Sequence, residues 1–289
     1  MHQDYIEDWS DYQSDLASAI QPDESELPLP IREMTARWFA EGLHGGIDGI
    51  ELKEWVRGAT GNFWLAKAAV TGAGDIGQPL HEAVLPRLYA AIGLRANEVA
   101  LGFRHFAPRP GPLQVPAGAL PTSYHRYHSA VTRDLFGPIA PEARFYEDYA
   151  AMAILDLIVG NADRHVQNYM VDSSAQLFVI DSGRSLAGGF LPLTLQPQAL
   201  NELARTGGRE GQPWPAEFFT NLATRFQGLL TVVDLAFASL PRSWRRLHDL
   251  ASVAARGDYQ ASSWEEKVIT IRRNTAVALA WLAQGPYTS

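Results

Sequence analysis

Asp163, Asn168 and Asp181 lie close together in the stretch LIVGNADRHVQNYMVDSSAQLFVIDSGRSL, residues 157–186. Asn168 follows Asp163 by five positions, and Asp181 follows Asn168 by thirteen. A loop carboxylate can accept or orient the proton of an attacking hydroxyl. A second carboxylate beside a carboxamide offers hard oxygen ligands, and magnesium often takes only one or two carboxylates and completes its shell with phosphate oxygens. Residue types of this kind suit the transfer of a phosphoryl group.

These residues need elements to hold them. Tyr169-Met170-Val171 and Leu177-Phe178-Val179-Ile180 are β-type runs around the turn sequence Asp172-Ser173-Ser174-Ala175. A hairpin folded with Val171 opposite Gln176 sets Asn168 opposite Val179, near Asp181. Upstream, residues 141–159 place Phe145, Tyr149, Met152, Leu155 and Ile158 at helical spacing. Gly160 is a natural left-handed end to that helix, which would present Asp163 on a loop anchored by a buried element. Arg164 could steady a phosphate or the loop, and His165 could pack or orient Asp163. The five-residue step from Asp to Asn, with a second Asp downstream, is also the step used by protein-kinase catalytic loops.

An upstream hairpin is expected from Leu52–Val56 and residues 63–70, joined by Arg57-Gly58-Ala59-Thr60-Gly61-Asn62. Gly58 and Gly61 would let this turn approach a ligand closely. Lys67 is a single ammonium within the apolar run FWLAKAAV, a costly position unless a partner meets it. The helical pattern of residues 79–94 follows, with Leu80, Val84, Leu88 and Ile92 in one stripe, Glu82 near its start, and Pro86 expected to bend or strain it. Kinases hold ATP phosphates with a strand lysine paired to a glutamate on the following helix. Lys67 on the outer face of an edge strand, with Glu82 merely compensating the helix dipole, is the plain alternative.

The segments Asn161-Ala162-Asp163-Arg164-His165-Val166-Gln167-Asn168 and Ile180-Asp181-Ser182-Gly183 resemble the N-x-D-R-H-x-x-N and I-D-x-G signatures of HipA-like kinases and the related phosphatidylinositol 3-/4-kinase superfamily. Residues 63–94 resemble the small lobe of short HipA-like proteins, and the likeness spans about residues 50–190. The resemblance implies an α+β, two-lobed protein-kinase-like fold with a small β-rich N-lobe and a mostly helical C-lobe. It also implies ATP and magnesium as cofactors, with Lys67 at the ATP phosphates, Asp163 as the catalytic acidic residue, and Asn168 and Asp181 at the metal. Glu82, paired with Lys67, and Gly58 and Gly61 of the upstream turn are the further candidates at the nucleotide. A Ser/Thr kinase acting on a protein hydroxyl is the leading expectation. The alternatives are a lipid or small-molecule kinase and a nucleotide-binding pseudokinase with a regulatory role.

Composition bounds the rest. The 289 residues carry a net charge of −8. Residues 1–31 hold eight of the 32 acidic residues and no Lys or Arg, so the remainder balances at 24 acidic against 24 basic. A balanced body argues against a nucleic-acid surface, which would show a basic stripe. The absence of cysteine excludes disulfides and thiolate metal sites. No apolar run reaches the roughly 18 residues of a membrane span, no secretory leader is evident, and a cytoplasmic setting is expected. The expected division is an acidic arm at 1–30, an N-lobe at 31–110 and a C-lobe at 111–289. Helices are expected at 31–43, 218–230, 232–240 and 264–282, with 203–214 polar and glycine-rich. Arg242, Arg245 and Arg246 form a short basic ridge, and His105, His125 and His128 show no metal spacing.

Overall fold

The computed structural model describes residues 29–30, 52–57, 63–68, 77–106, 120–126, 131–132, 143–161, 163–165, 168–172, 176–183, 185–186, 198–207, 213–238, 240, 242, 244–246, 248–249 and 263–285. The acidic arm up to residue 28, the helix expected at 31–43, and Gly58 and Gly61 lie outside these residues.

Two sheets and six helices dominate the described chain. Strands β1 (Leu29–Pro30), β2 (Leu52–Arg57), β3 (Phe63–Ala68), β5 (Val99–Arg104) and β6 (Leu120–Arg126) form one antiparallel sheet in the order β1-β2-β3-β6-β5. β3 is therefore an inner strand, flanked by β2 and β6. The expected lobe boundary at residue 110 cuts this sheet, because β6 lies beyond it yet pairs with both β3 and β5. A second sheet runs β4-β9-β8-β7, from β4 (Arg95–Ala96), β7 (Val131–Thr132), β8 (Tyr169–Asp172) and β9 (Leu177–Val179).

Helix α1 (Gln78–Ala91) lies between the first sheet and the helical part, packing on β5 and β6 on one side and on α5 (Leu229–Ala238) on the other. Residues 78–85 are buried without interruption, as expected of a helix covered on more than one face. Its expected stripe of Leu80, Val84, Leu88 and Ile92 is buried throughout. The helix continues through Pro86, whose missing N–H leaves the Glu82 carbonyl without its helical donor. It ends at Gly93, with φ +79°, where the Leu94 amide returns to the Tyr89 carbonyl at 3.0 Å.

Helix α2 (Ala143–Val159) sends Ala151, Met152, Ile154, Leu155 and Ile158 into the main apolar core. It closes as its sequence predicts. Gly160 has φ +65°, its amide reaches the Leu157 carbonyl, and the Asn161 amide reaches the Asp156 carbonyl at 2.8 Å. Helices α3 (Gln198–Thr206), α4 (Ala216–Phe226), α5 and α6 (Trp264–Gln284) complete the helical part. The polar, glycine-rich stretch from Leu203 begins inside α3, which reaches Thr206 with Leu200 and Ala204 buried. One expectation needs correction here. The helix expected over 218–230 breaks at Gln227-Gly228, separating α4 from α5. A capping box at Ser263 and Glu266 starts α6.

Candidate active site

The loop after α2 is organised by Arg164. Its guanidinium meets Asp156 on both carboxylate oxygens, Nε–Oδ2 at 2.9 Å and Nη2–Oδ1 at 3.1 Å. Nη2 also donates to the Tyr89 hydroxyl at 3.1 Å, and Nη1 donates to the carbonyls of Ile180 at 2.8 Å and of Asn168. Five N–H groups thus meet five acceptors, which is the whole donor capacity of an arginine. Arg164 therefore steadies the loop and has no donor left for a phosphate. Tyr89 and Asn161 complete the cluster, donating to Asp156 Oδ1 at 2.5 and 3.0 Å. Burial and the Asp156 charge push the Tyr89 phenol well above its usual range, so it stays protonated as a donor.

With that anchor, Asp163 sits in a turn, its amide held by the Asn161 side-chain oxygen at 3.2 Å. Its carbonyl accepts from Asn168 Nδ2 at 2.7 Å, which commits the Asn168 nitrogen and leaves the amide oxygen as that side chain's acceptor. The hairpin differs from expectation by one residue. Val171 faces Leu177, not Gln176, and Tyr169 faces Val179. Asn168 therefore stands opposite Ile180, whose amide reaches the Asn168 carbonyl at 3.3 Å. The register places Asn168 one position nearer Asp181 than the sequence reading does. A shorter turn would have reversed every side chain of the strand; in the observed pairing Leu177 and Val179 join the main core and Phe178 packs with Met170 in a smaller cluster.

Asp181 has φ +55°, a left-handed conformation that Asp tolerates better than most residues. Its Oδ1 lies 2.8 Å from Lys67 Nζ, and the same ammonium lies 2.7 Å from Glu82 Oε1. Lys67 is 5% exposed and Glu82 2%. Lys67 thus projects inward from a central strand toward α1, and the edge-strand alternative does not apply. Glu82 is the fifth residue of α1, past the first turn where a dipole role would place it. Its second oxygen accepts the Ser182 amide at 3.2 Å, tying α1 to the segment that carries Asp181. Burial alone would raise the Asp181 carboxyl, but the Lys67 and Lys53 ammoniums outweigh it and hold the group well below the ordinary carboxylate range.

Gly183 is placed where no side chain fits. A Cβ there would stand 2.6 Å from Gln78 Cγ and 2.8 Å from Glu82 Oε1. Gly183→Ala is expected to push α1 away from Asp181 and to cost about 1–3 kcal/mol of stability, as overpacking a filled interior does. Urea unfolding checks this, and an unchanged midpoint would refute it.

Two groups near Lys67 escaped the sequence reading. Lys53 pairs directly across from Lys67 in the β2–β3 ladder and is equally buried. Only the exact register reveals it. His125, on β6, has Nε2 3.0 Å from Ser123 Oγ and 3.8 Å from Glu82 Oε2. Burial, reinforced by Lys67, pushes its imidazole well below the ordinary histidine range, so the folded protein keeps it neutral. The unfolded chain takes up this proton near pH 6.5 and the folded one does not. Stability is therefore expected to fall as pH drops below about 6.5, and His125→Asn should flatten that slope in urea titrations at pH 5 to 7.

The described residues hold no group of three or more His, Cys, Asp or Glu able to cage a metal. Asp181 and the Asn168 amide oxygen nevertheless fit magnesium, which needs few protein ligands when phosphate and water oxygens supply the others.

Residues 128–202 match the family model of phosphatidylinositol 3- and 4-kinases. The match contains Asp163, Asn168 and Asp181 but stops short of Lys67 and Glu82, which the fold itself brings to Asp181. No curated protein matches the chain. Among solved structures, the Helicobacter pylori proinflammatory kinase CtkA is similar with a TM-score of 0.48 and 11% identity, over 90% of this chain and 97% of that one. A MAP kinase from Leishmania major is similar with a TM-score of 0.32 and 11% identity, over 89% of this chain and 86% of that one.

Proposed function

We propose that this protein is an ATP- and magnesium-dependent phosphotransferase of the HipA-like kind, acting on a Ser or Thr hydroxyl of a protein. The carrying observation is the ammonium of Lys67 set between Glu82 and Asp181, at the mouth of a loop that offers Asp163 and Asn168. The family match over residues 128–202 supports a kinase-type chemistry from the other side of the site.

In this reading Lys67, assisted by Lys53, binds phosphate oxygens, and Glu82 keeps Lys67 extended toward them. Asn168 and Asp181 are the residues that would hold magnesium, which supplies charge neutralisation at the transferring phosphoryl group. Asp163 orients the acceptor hydroxyl and takes up its proton as the oxygen attacks. Arg164 fixes the loop so that Asp163 and Asn168 keep their spacing.

A second reading is favoured by the family match itself: a lipid headgroup hydroxyl as the acceptor. No helix among the described residues is long and apolar enough to cross a membrane, so a lipid substrate would be reached from the bilayer surface. Incubation with labelled ATP and magnesium separates the readings, one arm holding a protein lysate and the other phosphatidylinositol vesicles. Label on protein in wild type and its absence in Asp163→Ala supports the first reading, and label on lipid supports the second. Nucleotide-dependent thermal stabilisation with no transfer in either arm would turn the assignment to a nucleotide-binding regulatory module.

A further inference from the structure

Next to Glu82 on α1, His81 meets a buried lysine that the phosphotransferase reading does not use. Lys267 of α6 is 1% exposed. Its Nζ stands 3.0 Å from His81 Nε2 and 2.7 Å from His248 Nε2, and both imidazoles are fully buried. His81 Nδ1 lies 3.3 Å from the Gly183 carbonyl, and His248 Nδ1 lies 3.3 Å from Asp249 Oδ1. A carbonyl can only accept, so His81 makes this contact with its proton on Nδ1, and the Nε2 of that tautomer accepts from Lys267. Trp264 walls the cluster, stacked on the His81 ring and edge-on to His248.

We propose that Lys267 is a positioning residue for the candidate active site, acting through His81 on the Gly183 carbonyl and thereby on Asp181. The proposal deepens the phosphotransferase reading and rests on it for its consequence in turnover. His81 precedes Glu82 on α1, and Gly183 is two residues after Asp181. The Asp-Ser-Gly segment is therefore gripped from α1 at adjacent points, the Ser182 amide by Glu82 and the Gly183 carbonyl by His81. Lys267 sets the tautomer that makes the second grip a hydrogen bond. Without it, His81 can carry its proton on Nε2, and two lone pairs then face each other at Gly183. The last helix of the chain in this way bears on the geometry of a carboxylate more than eighty residues earlier.

The test uses the full chain as wild type, Lys267→Met, His81→Phe and the double variant. Methionine keeps the length of the lysine stem without its charge, and phenylalanine keeps the ring against Trp264 without its nitrogens. Two quantities are read: amide hydrogen exchange over residues 181–186, and kcat with the magnesium concentration giving half-maximal rate. Each single variant is expected to speed exchange over 181–186 about tenfold, leave exchange over 150–159 unchanged, and lower kcat by about 10- to 100-fold through misplacement of Asp181. The double variant should be no worse than either single one, because both cut the same line of contacts. If Lys267→Met does not fold, His81→Phe carries the exchange test alone. A lower melting temperature with unchanged exchange at 181–186 and unchanged kcat per folded molecule overturns the proposal, as do additive effects in the double variant. If wild type transfers no phosphate, the phosphotransferase reading falls, and the exchange measurement still decides whether Lys267 positions Gly183.

Discussion

Arg164→Met is expected to lower stability by about 3–5 kcal/mol, the loss found when one member of a buried ion pair is removed. Both side chains are more than nine-tenths buried, and Asp156 would lose its bidentate partner. The carbonyls of Ile180 and Asn168 would lose a donor at the same time. Urea unfolding followed by circular dichroism measures the change. Arg164→Lys should recover little, since an ammonium cannot present the fork that spans Asp156, Tyr89 and two carbonyls. A loss under 1 kcal/mol for Arg164→Met would mean that the loop holds its shape by backbone contacts alone. The effect on the site follows from the same bonds, because Arg164 ties the strand end at Asn168 to that at Ile180.

On the phosphotransferase reading, Lys67→Met should cost turnover on the order of 10²- to 10³-fold, the usual loss when a preorganised electrostatic contact to the reacting group is deleted. The removal also leaves Glu82 and Asp181 facing one another without a cation between them. Repulsion should push the Asp-Ser-Gly segment off α1, and the Asp181 carboxyl should lose the attraction that now holds it low. Steady-state assays at saturating ATP separate this loss from weaker binding. Retained kcat with only a raised KM for ATP would remove Lys67 from the chemical step and leave it a binding contact.

The readable parts of this protein were those written in short range. Gly160 announces its own left-handed turn, the stripes of α1 and α2 predict their buried faces, and the spacing of Asp163, Asn168 and Asp181 marks a loop and hairpin. The order of Lys67 and Glu82 suggests a pair, and the structure brings them to 2.7 Å. What escaped depends on contacts between distant segments. β6 joins the first sheet from beyond residue 110 through pairing with β3, and nothing local in LPTSYHR specifies that partner. Lys53 becomes visible only once the register opposite Lys67 is known. His125 carries no metal spacing, yet the sheet sets it beside Glu82. The hairpin register turned on one residue, which turn sequences such as Asp-Ser-Ser-Ala leave undecided. Lys267 reads as an ordinary polar position on α6 until His81 and His248 are brought to it from 186 and 19 residues away.

The sharing of one ammonium by Glu82 and Asp181 has a thermodynamic consequence. On the phosphotransferase reading, a cation at Asp181 would compete with Lys67 for the carboxylate, and a phosphate at Lys67 would compete with Asp181 for the ammonium. Either event clears the way for the other, so binding of the two is linked, and each must strengthen the other by the same factor. The site would then work as a coincidence gate, closed on itself by an internal counterion and opened in full only when metal and nucleotide arrive together.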